Sequence, residues 1–217
     1  MKQIAIDGPA GAGKSTIAKI LSNRLGFVYI DTGAMYRTLA LACLKKGVDL
    51  ENEEEVSEVC TAAPISIKYI DGVQNMFLEG NNVSEEIRTE VVSKAASDTS
   101  KYQKVRERLV SMQQDLAKEY DVVMDGRDIG TKVIPFATLK IFLTASVEER
   151  AKRRFLEYQE KGIKCDIKEL EEDIRQRDYN DSTRAISPLA KADDAIEVDT
   201  SDMTIDEVVE KIIGLWK

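Results

Sequence analysis

Nine residues near the start of the chain, Gly8-Pro9-Ala10-Gly11-Ala12-Gly13-Lys14-Ser15-Thr16, constrain what it can become more than any other stretch. They stand directly behind the apolar run Ile4-Ala5-Ile6 and open a helix-like segment over residues 17–25. Strand, G-x-x-x-x-G-K-[ST], then helix is the arrangement of a phosphate-binding loop. The glycines let backbone N–H groups approach phosphate oxygens, the helix N-terminus faces the same anion, and Lys14 adds a full charge. Ser15 occupies the position whose hydroxyl ligates Mg²⁺. A Gly-rich turn with no ligand is the alternative, but it gives no reason for a complete motif in the correct setting. The expectation is a site for a nucleoside triphosphate.

Composition narrows the class. With 217 residues and 43% hydrophobic content, the chain can bury a full core as one α/β domain with a small insertion. No apolar run approaches the roughly 20 residues of a membrane span, and the N-terminus lacks a signal-peptide pattern, so a cytoplasmic protein with no membrane partner is expected. Cys43, Cys60 and Cys165 are scattered without metal-ligand spacing and odd in number, which reads as ordinary reduced thiols. A net charge of −8 opposes a general nucleic-acid binder, so any basic site must be local. Histidine is absent, which removes every triad and His general-base mechanism and leaves Lys, Arg, carboxylates, hydroxyls and metal.

Strand-like runs at residues 4–6, 27–30, 122–124, 139–143 and 195–198 alternate with helical stretches. That is the pattern of a five-stranded parallel sheet covered on both faces. Between the second and third runs, two β-rich segments at 65–70 and 74–78 flank Asp71-Gly72, a hairpin signal. A helical region over 84–97 follows, so an inserted subdomain is expected at 64–98, with the core formed by 1–63 and 99–217. The acidic stretch Glu51, Glu53, Glu54, Glu55 and Glu58 lacks metal-loop spacing and reads as a solvated helix face.

A phosphate loop alone does not separate a switch from a kinase. The Asn-Lys-x-Asp motif of a guanine reader is missing. Arginines stand instead where a second anionic substrate would lie: Asp31-Thr32-Gly33-Ala34-Met35-Tyr36-Arg37 follows the second strand and Asp125-Gly126-Arg127-Asp128 the third, both at carboxyl ends. Ser146-Val147-Glu148-Glu149 has capping-box form and predicts a helix start. Arg150, Arg153 and Arg154 then share one face, either a mobile lid over triphosphate at about 147–165 or a solvated basic face. Farther on, the apolar stripe Ile167, Leu170, Ile174 continues through Arg177, Asp178 and Asp181, a face that meets a polar site or carries an Arg177–Asp181 helix pair.

Taken together, these segments resemble the bacterial cytidylate kinase family of the nucleoside monophosphate kinase group. The likeness runs nearly end to end, through Ile6-Asp7-Gly8-Pro9, the 31–37 loop, Glu86-Ile87-Arg88, Val105-Arg106, residues 125–131, Arg177-Asp178 with Asp181 and Arg184, and Ser187-Pro188-Leu189. The family often carries serine at Thr32, which keeps the hydroxyl. The resemblance implies transfer of a phosphoryl group from ATP to CMP or dCMP, with Mg²⁺, an acceptor-holding insertion and an arginine-rich lid. It places base contacts at Thr32, Arg106 and Asp128 with Ser97 nearby, acceptor-phosphate contacts at Arg37, Arg127 and Arg177, and ribose contacts at Asp181 and Arg184; Tyr36 joins the same acceptor set. ATP falls to residues 8–16, with Gly8, Pro9, Ala10, Gly11, Ala12, Gly13 and Thr16 as backbone, Lys14 as the cation and Ser15 on the metal. Asp125 would reach Mg²⁺ through water, and Arg150 and Arg153 would come from the lid.

Part of this stands on periodicity. Val105, Leu109, Met112 and Leu116 form a buried helical stripe with Arg106 at its edge, although periodicity does not choose Arg106 over Arg108. Cytosine's amino donor and ring acceptors want a carboxylate beside an arginine, with the Thr32 hydroxyl able to donate or accept. The competing functions are a kinase for an alcohol such as shikimate and a nucleotide-dependent switch with no acceptor. Nothing in the sequence requires an interface, so a monomer is expected.

Overall fold

The computed structural model describes residues 1–216; Lys217, the last residue of the expected core segment, lies outside them. From the amino end run β1 (Gln3–Asp7), α1 (Lys14–Leu25), β2 (Val28–Asp31), α2 (Thr32–Lys46) and α3 (Glu53–Ala62). A hairpin and a short strand follow, β3 (Ile65–Ile70), β4 (Val73–Leu78) and β5 (Asn81–Asn82), then a 3₁₀ turn at Glu86–Arg88 and α4 (Glu90–Thr99). The chain returns through α5 (Gln103–Glu119), β6 (Val122–Gly126), a π-helical turn at Ile129–Val133 and β7 (Leu139–Thr144). It ends with α6 (Val147–Glu160), α7 (Ile167–Thr183), β8 (Ile196–Asp199) and α8 (Ile205–Leu215).

Five strands make one parallel sheet in the order β2-β6-β1-β7-β8, at the positions that the apolar runs predict. Both faces are covered, and the side-chain period of two sorts β1 between them. Ile4 and Ile6 pack with Ile17, Leu21, Val209 and Ile212 on one face; Ala5 packs with Met35, Leu39, Leu109 and Met124 on the other. The strand order reverses at β1, between β6 and β7, and in open α/β sheets the crevice beyond the carboxyl ends at such a point receives ligands. Gly8, the first residue past β1, has φ +147°, and a Cβ there would lie 1.9 Å from the Leu143 carbonyl oxygen. No side chain fits between the loop and β7.

The hairpin turns on Asp71 and Gly72, both at positive φ, with Ile70 opposite Val73, the geometry of a two-residue primed turn. The helix expected over 84–97 is instead divided. Thr89 is extended (φ −71°, ψ 155°), ends the 3₁₀ turn and caps α4 by accepting from Val92 N–H. Its hydroxyl competes for the backbone locally, as such side chains do at helix starts. The acidic run behaves as expected: Asn52 caps α3, and Glu53, Glu54 and Glu55 sit exposed in its first turn, where the helix dipole favours them.

Two side chains fasten the small sheet to the edge of the large one. The Gln74 amide accepts from Asp31 N–H (2.8 Å) and donates to Asp31 C=O (3.2 Å), and the Tyr69 hydroxyl donates to Tyr29 C=O (3.2 Å). Gln74→Ala leaves both Asp31 backbone groups to water, a loss of about 1 kcal/mol of stability for two partly exposed bonds. A denaturant midpoint measures it, and hydrogen exchange is expected to rise selectively over β3 and β4.

Candidate active site

Most helices of the chain begin on a side chain that accepts from their first N–H groups: Asp31 for α2, Asn52 for α3, Thr89 for α4, Ser146 for α6, Asp166 for α7 and Thr204 for α8. Helix α1 begins on Gly13 at φ 86° with no side-chain cap and no acidic residue in its first turn. Its N–H groups therefore face the hollow of the phosphate loop, free for an anion. Lys14 is buried and folded back, donating to Pro9 C=O at 2.6 Å. Burial, then the charge of Arg127, lowers its pKa well below the usual lysine value. Ser15 Oγ donates to Asp125 at 2.8 Å and Tyr29 donates to the other oxygen of that carboxylate at 2.8 Å. Burial, then the neighbouring Asp31 charge, raises Asp125.

A cavity of about 240 Å³ opens beside the loop, walled by β2, α2, α4, α5, β6 and α7. Its wall carries six basic side chains, Lys14, Arg37, Arg106, Arg127, Arg177 and Arg184, against four carboxylates, Asp31, Asp125, Asp128 and Asp181. Ala10, Gly11, Ser15, Thr32, Tyr36 and Ser97 complete the part predicted from sequence. Arg37 pairs with Asp31 at 3.0 Å, while Asp31 also caps α2 through Ala34 N–H. Arg127 pairs with Asp181 at 2.7 Å, and Arg184 stands 3.8 Å from the other Asp181 oxygen. Burial works against the Arg127 charge, yet Asp181 holds its pKa above the ordinary arginine value; burial works against Asp181 too, yet Arg127 and then Arg177 hold it low. No Arg177–Asp181 pair forms among the described residues. Instead burial, then Arg127, lowers Arg177 to about 10.

The structure also decides between Arg106 and Arg108. Arg106 is buried, ion-paired with Asp128, bonded to Ser100 C=O and stacked 5.4 Å from the Tyr36 ring centre. Arg108 turns the other way and donates to Cys60 and Ala63 carbonyls at the end of α3. Burial is deeper than the stripe predicted: Arg106 itself is inside, Gln113 and Ala117 join Val105 and Leu109, and Met112 and Leu116 are only partly covered. The Thr32 hydroxyl donates to Asp125 C=O at 2.6 Å, so toward a ligand it can only accept, a narrower role than the residue type allows.

Seven buried side-chain polar atoms lack a partner among the described residues, and five of them belong to this cavity's wall: Tyr36 Oη, Arg37 Nε, Arg106 Nε, Arg177 Nε and Arg184 Nη2. Burial pushes Tyr36 up to about 12, which leaves its hydroxyl a neutral donor. An unmet buried donor costs about 1–3 kcal/mol, so five around one cavity point to a ligand rich in acceptors.

The arginines of the predicted lid segment are bonded to the body. Arg150 is buried, donating to Ala10 C=O of the phosphate loop and Ala145 C=O and making two bonds to Asp178 at 3.0 and 2.6 Å. Arg153 donates to Thr200, and Arg154 to Tyr158 and Glu90. The three like charges are thus answered within the chain. Helix α6 starts where Ser146 predicts, but only half of the box forms: Ser146 accepts from Glu149 N–H while its own N–H donates to Ser201. The stripe on α7 holds at Leu170 and Ile174, whereas Ile167 is exposed and Cys165, just ahead of the helix, packs against that cluster instead. Cys43 and Cys60, distant in sequence, meet with sulfurs 3.9 Å apart as free thiols.

A second cavity, about 520 Å³, opens on the other side of the loop between Gly11–Thr16 backbone, Arg153 and the turn after β8. Thr200, Met203, Thr204, Ile205 and Val208 form its far wall. Sequence reading missed them because hydroxyl and aliphatic residues carry no charge signature; their place past a parallel strand's carboxyl end was the available clue.

A profile described as cytidylate kinase matches residues 4–217. The chain belongs to the cytidylate kinase family. A cytidylate kinase of Caldicellulosiruptor bescii is 54% identical over 98% of this chain and 94% of the relative, and one of Lactobacillus johnsonii 53% over 98% and 92%. Among solved structures, an uncharacterized protein from Eubacterium ventriosum shares the fold at 12% identity, with a TM-score of 0.54 over 99% of this chain and 98% of that one. Family membership makes the chain an ATP-dependent kinase with nucleotide substrates. No helix among the described residues is long and apolar enough to cross a membrane.

Proposed function

We propose that the basic cavity holds CMP or dCMP, that the second cavity holds ATP, and that the γ-phosphoryl group passes between them over Lys14. One observation carries the choice of acceptor. Arg106 and Asp128 are buried as a pair that leaves Arg106 Nε without a partner and uses only one Asp128 oxygen, so a donor and an acceptor stand together beside the cavity. Cytosine answers with an acceptor at N3 and an amino donor at C4. Uracil reverses both, setting O4 against Asp128 and N3–H against Arg106, with each mismatch costing about 1–3 kcal/mol. Arg37, Arg127 and Arg177 take the acceptor phosphate, Asp181 and Arg184 the ribose, and Ser97 lies beside the base. Residues 64–98 serve as the acceptor-binding insertion and 147–165 as the lid.

The attacking group is a phosphate oxygen already anionic at neutral pH, so the chemistry needs no strong base, which suits a chain without histidine. Its difficulty is bringing two polyanions in line, and fixed cations meet it: Lys14 and the α1 N-terminus on the donor, the arginines on the acceptor. Ser15 and Asp125, hard oxygen donors 2.8 Å apart beside the loop, fit Mg²⁺, directly and through water respectively. When bound, that ion spreads the charge of the transferring group. Arg150 and Arg153 reach the phosphates from the lid by leaving Asp178 and Thr200. The enzyme acts as a cytoplasmic monomer, with no nucleic-acid partner.

A coupled ADP-release assay over CMP, dCMP, UMP, AMP and shikimate tests the assignment. CMP and dCMP are expected to drive ADP production strongly, and UMP weakly. Preference for an alcohol, or no acceptor stimulation, would overturn it. Closure has its own measurement: with a ligand joining ATP and CMP, hydrogen exchange should slow over both residues 64–98 and 147–165. Unchanged exchange there would remove the moving lid.

A further inference from the structure

We propose that Asp7 is a positioning residue that aims the Asp128 carboxylate at the base, and thereby takes part in choosing the acceptor. This rests on the reading of Asp128 as a base contact. Asp7 ends β1, immediately before Gly8, and is 4% exposed. Each of its oxygens accepts one backbone N–H from across the sheet: Ile129 at 2.8 Å and Gly130 at 2.7 Å. Those are the two amides that directly follow Asp128.

The local backbone explains why they need an outside acceptor. Asp128 lies at φ −145°, ψ 24°, outside the regular regions, and its carbonyl accepts from Lys132 and Val133 as the chain enters the wide turn at Ile129–Val133. A helical turn leaves its first N–H groups unpaired, and π-helical turns of this kind recur at functional sites. Here the cap comes from another strand, and it fixes the backbone on which the Asp128 side chain is mounted. Gly130 matches that approach: a Cβ there would stand 3.3 Å from Asp7 Oδ2 and 3.1 Å from Lys140 Cδ.

The choice of a carboxylate follows from the same geometry. Burial pushes Asp7 up to about 6, so its ionised form is disfavoured there. An asparagine of the same size would escape that penalty, but one end of its amide is a donor and would face an N–H. Only a carboxylate offers both amides an acceptor. Asp7 therefore joins the end of the strand that launches the ATP loop to the turn that carries the base contact.

The test compares Asp7→Asn with Asp128→Asn and the unaltered enzyme, measuring kcat and KM for CMP and UMP at saturating ATP, the KM for ATP, and the thermal midpoint. Asp7→Asn is expected to lower the CMP-to-UMP ratio of kcat/KM about tenfold, mainly through the KM for CMP, with the KM for ATP within about twofold. A residue with only a structural role would scale both acceptors alike whatever happens to the midpoint, and an unchanged ratio overturns the proposal. If Asp128→Asn shifts the ratio while Asp7→Asn does not, the aim of Asp128 is set elsewhere and Asp7 is dismissed alone. If neither shifts it, the base-contact reading itself falls. Should Asp7→Asn fail to fold, Gly130→Ala crowds the same oxygen and must lower the ratio as well; an unchanged ratio in that variant is equally fatal.

Discussion

Lys14→Ala is expected to fold normally and to transfer phosphoryl groups on the order of 10³-fold more slowly, the loss that goes with one preorganised transition-state charge. Both halves follow from where the ammonium sits. It is buried, its only hydrogen bond among the described residues is to Pro9 C=O within its own loop, and burial together with Arg127 disfavours its charge. Removing it takes away an electrostatic burden, so the thermal midpoint should hold or rise. On the proposed reading, turnover needs that same charge to swing from the loop carbonyl to the donor phosphates. Near-normal kcat in a folded Lys14→Ala protein would end the assignment of this loop to phosphoryl transfer.

Arg177→Met is expected to separate stability from activity more sharply. Arg37, Arg106, Arg127 and Arg184 each stand beside a carboxylate, whereas Arg177 makes no ion pair among the described residues and its Nε lacks a partner. Burial lowers it first, then Arg127, with Arg154 and Arg37 adding to the repulsion. At neutral pH the group is still charged, and the sign is clear: a cation whose pKa falls on folding destabilises the fold below that pKa. A neutral side chain of similar reach should raise the melting temperature of the ligand-free enzyme. It should also cut kcat/KM for CMP about 10²–10³-fold, since the cation proposed to meet the acceptor phosphate is lost. Calorimetry and steady-state kinetics on one preparation check both. A lower melting temperature with intact kinetics would mean that Arg177 serves the fold.

What the sequence made legible was local. The phosphate loop, the apolar runs of the parallel sheet, the Asp71-Gly72 turn and the Ser146 helix start each depend on neighbours within a few residues, and each is present. What stayed hidden depends on partners far along the chain. Arg106 and Arg108 belong to one helix, and the difference lies in Asp128 for one and the α3 carbonyls for the other. Arg150 looks like a free lid charge until Asp178, 28 residues on, is seen to hold it. Asp7 reads as part of a loop motif, and its clasp on Ile129 and Gly130 spans more than a hundred positions. Ile167 and Thr89 departed from the pattern in a different way, through Cys165 packing on the α6–α7 cluster in place of Ile167 and a hydroxyl that takes over the backbone.

The fastening of Gln74 and Tyr69 to β2 bears on solubility as well. β2 is an outermost strand of the large sheet, and its outward amide and carbonyl groups at Asp31 and Tyr29 are occupied by those two side chains. An unguarded strand edge is a template for pairing with another chain. If the small sheet swings during each catalytic cycle, the edge is uncovered at the moment of movement, and a protein concentrated in a crowded cell passes through that exposure at every turnover. Weakening Gln74 would then show itself first as aggregation under working conditions, in a protein whose resting solution stays clear.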